Sequence, residues 1–281
     1  MKWTIIASSD CDFRDEEFTK ENIVFKTVPL VLTFGEDDYI DNLDLDTAGF
    51  IPKMRAAKTL RTACPSPEAF ADLMRGEENI IVVTITSKLS GTHQSAKLAI
   101  EQIKSETPEK NVYLLDSLSA SAGVGSMCLA IINLIKDNPN ISFDELTARL
   151  PAIQKRTKVR FLLQDLSNLV KTGRMSRVAG AIVGLTPLKL VCGDNGEGEI
   201  KKFGAALGTR KGLAKLAELF QKERSMTADN NPVVIAHAHN ETDAGYLATL
   251  LEKLGTTNIK TVLMRGVSTF YANDKGIVLA Y

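Results

Sequence analysis

Asn79-Ile-Ile-Val-Val-Thr-Ile85 runs directly into Thr86-Ser-Lys-Leu-Ser-Gly-Thr-His-Gln-Ser-Ala96, and the fold is decided in this passage. The first seven residues are an apolar, β-branched run, and the hydroxyl-rich loop after them delivers the chain to a helix that begins near Gly91 or Thr92. The same succession occurs at Trp3 to Ala7, followed by Ser8 and Ser9, and at Asn111 to Leu115, followed by Asp116, Ser117, Ser119 and Ser121. Apolar β-rich runs alternating with segments of helical period predict βαβ units and a parallel sheet. Helix starts are well marked: Ser66-Pro67-Glu68 offers an N-cap with proline at the first helical position, and Ser142 with Glu145 forms a capping box. Val24 to Phe34 reads as an extended run ending in a Gly35-Glu36-Asp37-Asp38 turn, and so as a hairpin.

Beyond residue 155 the pattern changes. An extended Val159 to Gln164 precedes a helix closed by Gly173, then an almost uncharged helical stretch from Val178 to Leu185 and an extended Leu188 to Cys192. A glycine-rich turn at Gly193 to Gly198 leads to another strand, an amphipathic helix from Thr209 to Glu223 and a strand at Val233 to Ala236. A helix at Glu241 to Leu254 and a last strand pair complete the chain. The expected architecture is α/β in two domains, with an N-terminal parallel-sheet domain over 1–155 and a C-terminal α/β domain of mixed sheet over 156–281.

The chain has 281 residues, with 34 basic and 34 acidic side chains, so strong electrostatic attraction to nucleic acid or to an anionic membrane is not expected. At 44% hydrophobic and 24% charged it has the composition of an ordinary globular protein. The run from Ser117 to Ile135 carries no charge but is broken by serines, an asparagine and two glycines, so it reads as a loop and a buried helix, with no stable membrane insertion. The apolar run Trp3 to Ala7 is too short for a secretory leader, and the four cysteines lie far apart. Reduced thiols and a cytoplasmic location are expected. Glu36, Asp37, Asp38, Asp41, Asp44 and Asp46 read as a solvated acidic rim, and His237-x-His239 as hydrogen-bonding groups rather than a metal pair; no metal or cofactor is expected.

In an open parallel sheet the carboxyl ends of the strands form the ligand crevice. The hydroxyl-bearing loops therefore converge on one edge, joined by Thr62 from the loop before the Ser66 cap. Each of these residues taken alone reads as an N-cap, but the strings they belong to carry a resemblance. T-S-K-L-S-G-T-H-Q-S-A at Thr86 to Ala96, Thr62-Ala-Cys-Pro65-Ser66, and Asp116-Ser-x-Ser-Ala-Ser-x-Gly123-x-Gly125 resemble the DegV family of bacterial fatty-acid-binding proteins. Lys171-Thr-Gly173-Arg174-Met175-Ser176, the uncharged helix before Pro187, Arg210 and Ile235-Ala-His237-Ala-His239-Asn240 extend it across the chain.

The resemblance implies a carrier that is not itself an enzyme, holding one long-chain fatty acid and presenting its carboxylate to a separate fatty-acid kinase for acyl-phosphate formation. Carried over, the carboxylate contacts are Thr62 and Ser90. Ser9, Gly91, Thr92, His93 and Ser117 belong to the other head-group loops, and Arg174 to the surface that meets the kinase. Three positions depart from the family pattern. Ser8 replaces an aspartate and His93 a tyrosine. In the C-terminal stretch Gly266 to Gly276, where the family commonly has a G-T-H-x-G-P-G loop, Tyr271 falls at the position of its histidine. Tyr271 is therefore expected as the third carboxylate donor. The alternative reading is a small-molecule hydrolase or transferase using Ser90 with His93 as base.

Overall fold

The computed structural model describes residues 1–20, 22–175, 187–224 and 232–281; the expected helix from Val178 to Leu185 lies outside the described residues. The first half contains β1 (Trp3–Ser8), α1 (Asp15–Phe18), β2 (Ile23–Val28), β3 (Val31–Phe34), β4 (Asp37–Ile40), α2 (Thr47–Ala56), β5 (Leu60–Ala63), α3 (Pro67–Met74), β6 (Asn79–Thr84), α4 (Thr92–Glu106), β7 (Asn111–Asp116), α5 (Ala122–Asp137) and α6 (Phe143–Arg156). There follow β8 (Val159–Leu162), α7 (Ser167–Lys171), β9 (Leu188–Asp194), β10 (Ile200–Leu207), α8 (Thr209–Arg224), β11 (Val233–His237), α9 (Glu241–Lys253), β12 (Ile259–Leu263), α10 (Gly266–Ala272) and β13 (Ile277–Ala280).

The fold is α/β, with a parallel N-terminal sheet and a mixed C-terminal one. The parallel sheet has the order β2-β1-β6-β7, and every residue of β1 and β6 is buried, as strands covered by helices on both faces must be. The six-stranded sheet runs β10-β9-β8-β13-β11-β12, antiparallel except for the β11–β12 pair. A third, antiparallel sheet, β4-β3-β5, contains the expected hairpin, with Gly35 at φ +67° in its turn. The extended run from Val24 is interrupted at Pro29, which has no N–H for a ladder, so its two parts enter different sheets. The caps are as read: Ser66 accepts from the Ala69 N–H, and Ser142 with Glu145 closes the capping box.

Two expectations are corrected. The last two strands are not a pair, because β11 lies between β12 and β13, and the segment joining them forms α10. Asp41 is not part of a solvated rim: it is fully buried, and its carboxylate accepts from the Gly266 N–H (2.6 Å) and the Val267 N–H (3.0 Å) at the start of α10. A buried carboxylate is tolerable there because it meets the free N–H groups of a helix terminus.

The halves interlock. One continuous apolar cluster takes Trp3, Ile81 and Met127 from the first half and Leu163, Val234 and Val278 from the second. A short 3-10 turn at Ser9–Cys11 packs so closely on α5 that a Cβ at Gly125 would stand 2.6 Å from the Cys11 carbonyl oxygen. That approach fixes Asp10 and Asp12 at the junction of the two halves.

Candidate functional site

The carboxyl ends of β1, β6 and β7 meet as the topology requires, and the Ser8 hydroxyl ties two of them by accepting from the Ile85 N–H at 2.9 Å. Over this edge, between the two large sheets, lies a slot of about 900 Å³ counted out to its mouth. Its walls are largely apolar, with Leu30, Leu89 and Leu118 from the first half facing Phe161, Leu163 and Ile200 from the second. Two contacts between the halves border it: the Thr86 hydroxyl donates to the Gly198 carbonyl (3.1 Å), and the Arg174 Nε donates to the Leu89 carbonyl (3.3 Å).

Thr62, Ser90, Tyr271 and Arg174 all line this slot. Thr62 is on β5 and Tyr271 on α10, yet the Thr62 Oγ1 lies 2.8 Å from the Tyr271 hydroxyl. Phe270 holds the Tyr271 ring edge-on, at 4.8 Å between centroids. The Arg174 guanidinium is 6.0 Å from the centre of the same ring, and its Nη1 donates to the Thr172 carbonyl at 2.6 Å. Ser90 combines two roles, since its Oγ accepts from the Thr92 N–H (3.3 Å) and lies 2.9 Å from the Thr92 Oγ1 while also facing the slot.

The other expected head-group residues are near the slot but are not among those that line it. Ser9 donates to Asp41 Oδ2 at 2.6 Å and accepts from the Leu30 N–H. Ser117 is folded back onto Ser119, donating to its carbonyl and accepting from its N–H, both at 3.0 Å. Thr92 is fully buried, and at Gly91 a Cβ would touch the Cys64 sulfur. His93 hydrogen-bonds through Nδ1 to the Thr84 hydroxyl at 3.1 Å, so its partner is Thr84 and not Ser90. His237 accepts from the Asn240 N–H, and His239 lies 2.8 Å from the Thr47 hydroxyl. Among the described residues no group of three or more His, Cys, Asp or Glu is placed to hold a metal ion. Nor, among them, is any helix long and apolar enough to cross a membrane.

Reading hydroxyls alone misses Asp10 and Ser268, which also line the slot. Asp10 accepts from the Ser8 hydroxyl (2.5 Å) and the Ser121 N–H (3.3 Å); Asp12 accepts from the Ser121 hydroxyl (2.6 Å) and the Arg265 N–H (2.9 Å). Burial pushes the Asp10 carboxyl up to about 8 and that of Asp12 up to about 7, against the pull of these hydrogen bonds. The Asp-x-Asp spacing directly after the first strand was the available signal. Such a pair reads as surface acid until the helix that buries it is known.

Comparison with known proteins agrees with this architecture. A family model described as "Uncharacterised protein, DegV family" matches residues 2–280. A DegV domain-containing protein of Streptococcus pyogenes serotype M18 is 35% identical, with 100% of this chain and 99% of that protein covered. The Streptococcus pneumoniae fatty acid kinase (Fak) B3 protein, solved loaded with linoleic acid, superposes with a TM-score of 0.93 at 31% identity, covering 100% of this chain and 99% of that one. A DegV family protein from Eubacterium eligens loaded with heptadecanoic acid gives a TM-score of 0.91 at 26% identity, with 99% and 98% covered. These solved relatives carry fatty acids as their ligands. With its whole length matched, its fold shared and its motifs in order, the chain belongs to the DegV family.

Proposed function

We propose that this chain binds one long-chain fatty acid in the slot and presents its carboxylate to a separate fatty-acid kinase. On this reading the chain divides near residue 155 into the halves that enclose the lipid, works in the cytoplasm, and performs no catalysis itself. The single observation that carries the reading is the Thr62–Tyr271 hydroxyl pair at 2.8 Å, beside Ser90 and Arg174, in a slot whose walls are otherwise mostly apolar. Burying about fourteen methylenes at roughly 0.8 kcal/mol each gives on the order of 11 kcal/mol before ordering and association costs, enough for tight binding. The carboxylate is costly to desolvate unless hydrogen-bonded, and the Ser90 hydroxyl with the hydrogen left free by the Thr62–Tyr271 pair meets that need. Tyr271 takes the place of the histidine in the family pattern as a hydroxyl donor.

Native mass spectrometry of the protein purified from bacteria tests the reading. A fatty acid bound near 1:1 is expected; no bound acid, together with turnover of acyl esters abolished by Ser90→Ala, would favour a hydrolase instead. Arg174 is assigned to the kinase-facing mouth. Arg174→Ala is therefore expected to leave lipid content near wild type while kinase-dependent acyl-phosphate formation falls, and loss of both together would confine Arg174 to the slot.

A further inference from the structure

Along one wall of the slot runs a polar stripe to which a plain hydrocarbon chain has nothing to offer. Contacts between its members give their order. Ser268 lies one helical turn before Tyr271 on α10 and donates to the Asp10 carbonyl oxygen at 3.4 Å. The Asp10 side chain receives the Ser121 N–H at 3.3 Å. Ser119 follows, sharing with Val159 the space beside Gly123, and the Val159 N–H donates to Asp194 at 2.6 Å. Asp10, Ser119, Ser121, Ser268, Val159 and Asp194 all line the slot.

The hydrogen-bond count at Asp10 is incomplete. Asp10, Asp12 and Asp41 are all buried, and Arg265 is the guanidinium that reaches this group among the described residues: its Nη2 donates to the Asp41 carbonyl (2.7 Å) and its Nε lies 4.0 Å from Asp41 Oδ1. Three carboxyls around one cation cannot all be ionised in a dry interior at low cost, so the cluster retains protons. A protonated Asp10 has one O–H to donate. Its Oδ1 is hydrogen-bonded to the Ser8 hydroxyl, whose oxygen also accepts from the Ile85 N–H, and its Oδ2 receives the Ser121 N–H. The Ser8 hydroxyl and a protonated Asp10 together carry two hydrogens and share one hydrogen bond, so one hydrogen of the pair has no acceptor among these partners, and Asp10 is the member of the pair that lines the slot. Nearby, the buried Ser119 Oγ also has no hydrogen-bond partner.

We propose that the slot is built for a long-chain fatty acid bearing a hydroxyl group on an interior carbon, whose oxygen accepts from Asp10 and whose hydrogen goes to a serine oxygen of the same stripe. This rests on the fatty-acid reading above and narrows its substrate class.

Calorimetric titration with stearic acid, oleic acid and a positional series of monohydroxystearic acids is the test. One positional isomer is expected to bind about tenfold more tightly than stearic acid, the gain of one buried, satisfied hydrogen bond. Asp10→Asn, which keeps a donor, should retain the preference, and Asp10→Leu should abolish it. If every hydroxylated isomer binds more weakly than stearic acid, or only oleic acid gains, the proposal is overturned while fatty-acid binding stands. If no acid binds, the fatty-acid reading itself fails. The wild-type ranking and Asp10→Asn decide the matter even if Asp10→Leu does not fold.

Discussion

Thr62 and Tyr271 are 209 positions apart in the chain, and their 2.8 Å contact is made by the folding of α10 against β5. A hydroxyl contributes to a carboxylate only as a donor, and because the two share one hydrogen bond the pair keeps one hydrogen for the ligand. Removing one donor to a charged group costs about 1.5 to 3 kcal/mol, or roughly ten- to a hundred-fold in affinity. Ser90→Ala and Tyr271→Phe are both expected to show such a loss in fatty-acid titrations, with unchanged circular dichroism. Tyr271→Phe keeps the ring that packs on Phe270, so a loss there isolates the hydroxyl. Wild-type affinity in Ser90→Ala would remove Ser90 from the carboxylate site, and wild-type affinity in Tyr271→Phe would reduce that residue to packing.

α10 shows how an element can depend on a residue far from it. It has only seven residues, and its own N-cap, Arg265, makes no side-chain cap bond; Asp41 supplies the acceptors instead. Asp41→Ala should therefore cost about 3 kcal/mol in chemical denaturation, the loss of charge-assisted hydrogen bonds next to a buried Arg265. It should also weaken lipid binding by loosening Tyr271, whereas an unchanged midpoint would show that α10 is held by packing alone. The sequence revealed the periodic elements, such as β6 with the hydroxyl loop and α4 after it, because the period of a buried strand and the cap of a helix are local properties. It did not reveal α10, whose apolar residues Val267 and Phe270 pack on the β3–β5 sheet and lack a capping side chain in sequence. Asp41 was unreadable for the same reason: an acid in an acidic run looks solvated until a partner 225 positions away covers it. That Thr62, Ser90 and Tyr271 line one slot could be anticipated only through motifs, since nothing local distinguishes a hydroxyl that faces a slot from one that caps a helix.

On the scale of the whole molecule, the halves are joined through buried acids, and this makes stability depend on pH. Asp12 receives the Arg265 N–H across the junction, and Asp10, buried beside it at the slot, receives the Ser121 N–H. Burial raises them from the ordinary 3.8 to about 7 and about 8 respectively. The native state then binds more protons than the unfolded chain between about pH 4 and 8, and stability must fall as pH rises through that window. Below it, Glu77 acts in the opposite sense: the net of its burial and the opposing pull of Lys26 and Thr4 leaves its carboxyl lowered, so that contribution is lost as the pH falls toward and below the usual glutamate range. Burial also lowers His237, so the unfolded chain takes up a proton that the native state resists, a second loss as pH falls below about 6.5. Two raised acids outweigh one lowered histidine, so the urea midpoint is expected to be highest at about pH 4.5, where the loss at Glu77 sets in, and to decline toward pH 8.5. Asp10→Asn and Asp12→Asn together should flatten the alkaline side, because an amide stays neutral in both states, while leaving the acid side unchanged. A midpoint that rises from pH 6 to 8.5 in the wild-type protein would mean that these acids are ionised in the native state, and would count equally against an Asp10 able to donate a hydrogen bond into the slot.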